Sequence, residues 1–130
     1  MQPYAEIIKS QSDKRNYKTI MLSNKLRCLL IQDEEADKSC AALDVHVGAS
    51  LDPKDHYGTA HFLEHMLFMG SEKFPKENEY SEFITNNGGY SNAFTSMTDT
   101  NYHFEVANDK FGEALQLNSQ EKLVNFGFTQ

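Results

Sequence analysis

No apolar run in this 130-residue sequence approaches the ~20 residues needed to cross a bilayer. The opening stretch, MQPYAEIIKSQSDKRNY, also lacks the apolar core and small-residue cleavage site of a secretory signal. Grouped cations are missing too: 12 Lys and Arg lie scattered among 19 Asp and Glu, for a net charge of −7. Phosphate backbones and anionic lipid surfaces are held by clustered Lys and Arg, so neither nucleic acid nor a membrane is the expected partner. The acidity suits solubility, or a basic or neutral substrate. Cysteine is scarce, and Cys28 and Cys40 make no disulfide framework; they read as free thiols of a reducing compartment. Repeats, low-complexity tracts and linkers are also absent. What remains is one domain's worth of chain in an expected cytoplasmic setting, long enough to bury roughly two-thirds of its unfolded surface.

Residues 1–16 are polar and expected to be loosely ordered. YKTIMLSNKLRCLLIQDE reads as a hairpin, with Ser23 and Asn24 in the turn. EEADKS is a polar connection. In AALDVHVGA, Leu43, Val45 and Val47 alternate with Asp44 and His46, the period of a half-buried strand. The loop SLDPKDHYG follows, and from Thr59 the period becomes helical. TAHFLEHMLFMG predicts a helix ended by Gly70. A second helix, with Pro75 at its first position, puts Tyr80, Phe83 and Ile84 on one face and closes at NNGG. YSNAFTSM and TNYHFEVA predict two strands, the second with Tyr102, Phe104 and Val106 on one side. DKFGEAL begins a third helix. Grouped strands without βαβ alternation predict an α+β domain: a mainly antiparallel sheet with helices packed on one face.

HFLEH, residues 61–65, carries the chemistry. On a helix, His61 and His65 are one turn apart and project together. Neutral imidazoles so placed can grip one cation, and zinc is the commonest fit. Glu64 borders the same patch, where a carboxylate can take a proton from a water that zinc has acidified to a pKa of ~7. The other reading is an exposed helix with two solvated histidines beside a glutamate. Ala60, Leu63, Met66, Leu67 and Met69 supply the apolar neighbours that would dock the helix. His46, His56 and His103 lack a partner at ligand spacing and read as solvated or hydrogen-bonded.

Residues 58–106, GTAHFLEHMLFMGSEKFPKENEYSEFITNNGGYSNAFTSMTDTNYHFEV, closely resemble the catalytic domain of the insulinase/pitrilysin family, the inverted zincins. VHVGASLDP, just upstream, resembles the strand before that family's zinc helix. The resemblance implies a zinc-dependent metalloendopeptidase in which His61 and His65 are Zn2+ ligands and Glu64 is the general base. It implies that SNAFT is an edge strand to which an extended peptide or small protein adds itself by main-chain hydrogen bonds. Asn92 and Ala93 match the positions that hold the peptide, and Phe68 and Phe94 the apolar walls beside it.

The family pattern adds a third ligand, a glutamate roughly 75 to 80 residues beyond the second histidine of the H-x-x-E-H motif. Counted from His65, that position falls past Gln130, and Glu105, Glu113 and Glu121 come too early. The expectation is therefore a partial metallopeptidase domain: a polar segment 1–16, the N-terminal part of the catalytic domain at 17–115, and a divergent tail at 116–130. C-terminal domains or a full-length partner would complete it. The alternative is a non-catalytic relative that binds peptides along the edge strand 90–97.

Overall fold

The computed structural model describes residues 5–69 and 76–118. They divide into two compact units, one running to Ala36 and the other starting at Asp37.

The first unit is an antiparallel hairpin of β1 (Asn16–Met21) and β2 (Arg27–Gln32). Its turn is closed by Lys25 N–H donating to the Leu22 carbonyl and Leu22 N–H to the Leu26 carbonyl, both at 2.9 Å. Ser23 and Asn24 lie in this turn as expected, and Asn24 Oδ1 accepts the Leu26 N–H at 3.1 Å. The preceding polar segment is better anchored than its composition predicts. Asp13 accepts hydrogen bonds from Arg15 Nε at 2.9 Å and from the Tyr17 hydroxyl at 2.7 Å. Arg15 and Tyr17 thereby hold the Asp13 carboxyl well below the usual carboxylate range. Thr19, buried in β1, donates to the Ala5 carbonyl at 2.9 Å.

The second unit is α+β. Its sheet has the order β3 (Lys38–Val45), β5 (Thr100–Ala107), β4 (Tyr90–Thr95), antiparallel throughout. The helices α1 (Thr59–Met66), α2 (Glu79–Asn86) and α3 (Phe111–Asn118) contact the sheet. Along β5 the period-two pattern turns Thr100, Tyr102, Phe104 and Val106 into the protein, each 5% exposed or less. Phe104 and Val106 meet Tyr80 and Ile84 of α2 and Ala114 and Leu117 of α3 in the core. The Tyr80 ring stands edge-on to Phe104 at 6.2 Å, a favoured aromatic geometry.

α2 ends in a Schellman motif. Gly88 takes φ 71°, its N–H donates to the Thr85 carbonyl at 3.1 Å, and the Gly89 N–H reaches the Ile84 carbonyl at 2.9 Å. The chain passes directly from this cap into β4.

Several boundaries differ from the sequence reading. β3 begins at Lys38, inside the stretch read as a connection, because β5 is long enough to pair with it: Lys38 lies opposite Ala107 and Ser39 opposite Val106. A Lys38–Glu105 ion pair at 2.7 Å adds to that end. β3 stops at Val45, and Val47 is 45% exposed rather than facing the core. There the chain leaves the sheet to bond the loop joining β4 and β5. Ala49 N–H donates to the Ser96 carbonyl and Ser50 N–H to the Met97 carbonyl, each at 2.9 Å. α1 stops at Met66 and α2 starts at Glu79, so both are shorter than their apolar periodicity predicts. Gly70 and Pro75, read as their boundaries, lie outside the described residues, as does the tail beyond Asn118.

Candidate active site

α1 is fixed at both ends of its chemistry. Its first N–H groups have no partners within the helix, and Asp52 supplies them from the loop upstream. Gly58 N–H donates to Asp52 Oδ2 at 2.6 Å and Ala60 N–H to Oδ1 at 2.8 Å. A carboxylate also suits the positive end of the helix dipole. Asp52→Ala is therefore expected to cost about 1 kcal/mol, as removal of a helix cap does; urea denaturation checks it. The Ala49–Ser96 and Ser50–Met97 bonds hold the same loop against the β4–β5 turn. Gly48 permits that approach, since a Cβ there would stand 2.5 Å from the Ser96 carbonyl oxygen.

So held, α1 presents His61 and His65 to solvent with their Nε2 atoms 3.1 Å apart. Two nitrogens bound to one tetrahedral zinc at ~2.05 Å would be separated by roughly 3.3 Å. The pair therefore fits a shared zinc ion with little movement. Glu64 behaves differently. Its side chain is turned inward and only 6% exposed. Its Oε2 accepts a 2.5 Å hydrogen bond from the Thr95 hydroxyl at the end of β4. Tyr102 is buried nearby, its hydroxyl pushed up to about 12 by burial and then by the Glu64 charge. Among the described residues, no third His, Cys, Asp or Glu gathers with His61 and His65. The constellation present is two convergent imidazoles and one oriented carboxylate.

β4 lies at an edge of the three-stranded sheet. Its alternation splits the four expected substrate-binding residues. Ala93 is half-buried on the face that carries Thr95, opposite Tyr102. Asn92 and Phe94 occupy the other face, opposite His103 and Asn101, with Phe94 53% exposed. Phe68 packs against the core, its ring 6.3 Å from Tyr102. Phe68 and Phe94 therefore do not share one surface.

Of the remaining histidines, His46 and His103 have hydrogen-bonded rings. Asn101 Oδ1 can only accept, so His103 Nδ1 donates to it at 3.1 Å, and the Tyr90 hydroxyl donates to Nε2 at 3.0 Å. His46 Nδ1 lies 2.6 Å from Asp99, which raises the imidazole pKa above its ordinary value. A raised folded-state pKa means that protonated His46 contributes stability below pH ~6.5, lost as pH rises through the higher folded value. NMR titration is expected to place His46 above 6.5 and to bring it down in Asp99→Asn.

Asp52 and Thr95, which bond the start of α1 and the Glu64 carboxylate, are residues that sequence reasoning passes over. Asp52 sits six residues ahead of the helix cap position, too far for a capping pattern. Thr95 left a faint signal as a hydroxyl on the inward face of a strand.

Residues 27–121 match the family described as Insulinase (Peptidase family M16). The A-factor-processing enzyme of Saccharomyces cerevisiae is 57% identical over 101 residues, covering 78% of this chain and 10% of that protein. Insulin-degrading enzyme-like 2 of Arabidopsis thaliana is 54% identical over 110 residues, covering 85% and 11%. The crystal structure of pitrilysin superposes with a TM-score of 0.88 at 40% identity, covering 92% of this chain and 13% of that one. The chain thus spans about a tenth of the length of these curated relatives.

Proposed function

The chain belongs to the insulinase family of peptidases, and from that premise we propose that it is the zinc-binding part of a metalloendopeptidase that hydrolyses extended peptides or small proteins. The observation that carries the reading is the 3.1 Å convergence of the His61 and His65 Nε2 atoms one helical turn apart; Glu64, on the same helix, has its carboxylate oriented by Thr95. His61 and His65 would hold the zinc, with a further ligand from outside the described residues, supplied by additional C-terminal sequence or a full-length partner. When bound, zinc supplies the Lewis acidity that makes water a nucleophile near neutral pH. Glu64 takes the proton from the attacking water and returns it to the leaving amine.

The β4 edge would hold the substrate. An added strand bonds to the backbone around Asn92 and Ala93 and projects its side chains alternately to the two faces. Phe68 and Phe94, on opposite sides of the sheet, would then border alternate substrate residues. Residues 17–115 form the catalytic-domain portion in this reading, and a cytosolic setting suits its free thiols.

A second reading, a relative that binds peptides along 90–97 without cutting them, is favoured by the two-histidine ligand set of the described residues. A fluorogenic extended peptide separates the two. Cleavage abolished by a chelator and restored by zinc supports the peptidase; saturable peptide binding without cleavage supports the second.

A further inference from the structure

We propose that Thr95 is a positioning residue for Glu64, a role that rests on Glu64 being the general base. Glu has three rotatable bonds, and a side chain left to sample them presents its carboxylate to a water only part of the time. Here one oxygen is fixed: Thr95 Oγ1 donates to Glu64 Oε2 at 2.5 Å. Both partners sit on restrained backbone. Glu64 is in the second turn of α1, whose start is held by Asp52. Thr95 pairs with Thr100 at the end of β4, where the Ser96 N–H donates to the Asp99 carbonyl at 2.8 Å. Glu64 is 6% exposed, so little bulk water replaces the hydroxyl, and a buried carboxylate lacking its donor is costly.

The hydroxyl does two things. It satisfies Oε2 and leaves Oε1 to receive the proton. In that transfer the water O–H bond breaks, an O–H bond forms at Oε1, and Thr95 keeps its own hydrogen throughout. Thr95 also lies two residues from Ala93 on the same face of β4. The strand proposed to accept the peptide is thus the strand that aims the base.

Two variants isolate the hydroxyl. Thr95→Val keeps the shape and removes the donor; Thr95→Ser keeps the donor. With a peptide substrate, Thr95→Val is expected to lower kcat about 10- to 100-fold with KM within about twofold, and Thr95→Ser to recover most of it. A second readout needs neither metal nor turnover. In metal-free protein, Thr95→Val is expected to lower Tm by several degrees, and this loss should vanish in a Glu64→Leu background, where the hydroxyl has no carboxylate to serve. Equal Tm losses in both backgrounds, or an unchanged kcat in Thr95→Val, would overturn the proposal. Absence of chelator-sensitive cleavage even in a parent completed by its partner sequence would instead sink the general-base reading, and the Tm cycle tells these failures apart.

Discussion

Glu64→Gln is expected to lower peptide hydrolysis by about 10²- to 10⁴-fold, the range over which a positioned general base contributes. Zinc affinity should stay within about threefold of the parent, because the residues proposed to grip the ion are untouched. The substitution is close to isosteric, and its carbonyl oxygen can still accept the Thr95 hydroxyl now bonded to Oε2. The fold and the helix orientation are thereby preserved while the group that takes a proton is lost. The measurement is kcat on any preparation, alone or completed by a partner, that shows chelator-sensitive cleavage. Residual activity above a tenth of the parent would mean that another group removes the proton, and Glu64 would become a structural carboxylate of the α1–β4 contact.

The largest effect on stability is expected at Gly89. A Cβ there would lie 2.0 Å from the Glu105 carbonyl oxygen and 3.0 Å from both the Glu105 carbonyl carbon and Val106 Cα. All three are backbone atoms of β5, the central strand, which cannot yield without breaking its register with β3 and β4. Gly89→Ala is therefore expected to cost about 3 kcal/mol or more, at the upper end for forced overpacking. Gly88→Ala offers the internal comparison. Nothing stands within 4 Å of a Cβ there, so the cost is only that of a left-handed φ of 71° in a residue with a side chain, about 1 kcal/mol. The two adjacent substitutions should differ severalfold in thermal denaturation, and equal losses would contradict the close approach of the α2–β4 connection to β5.

Much of this fold is legible in the chain because its apolar residues obey one period at a time. Tyr102, Phe104 and Val106 announce β5, and Tyr80 and Ile84 announce the buried face of α2. Asn-Asn-Gly-Gly announces the cap between helix and strand. What is not legible depends on partners distant in the chain. Lys38 and Ser39 look like a loop until the length of β5 is known. Val47 continues an alternation that the β4–β5 turn interrupts by drawing Ala49 and Ser50 to its carbonyls. The site divides the same way. The i, i+4 spacing of His61 and His65 fixes their convergence, since one helical turn suffices. The inward turn of Glu64 depends on Thr95, 31 residues away, and the seating of α1 depends on Asp52. No local pattern encodes either.

The account stands on His61 and His65 sharing one metal ion. Titration of the purified protein with zinc, beside His61→Ala and His65→Ala, tests this most directly. The expected result is one zinc per chain, with affinity falling at least tenfold in each variant and further when both are combined. Zinc bound as tightly by the double variant as by the parent, or a parent that binds none, would contradict it.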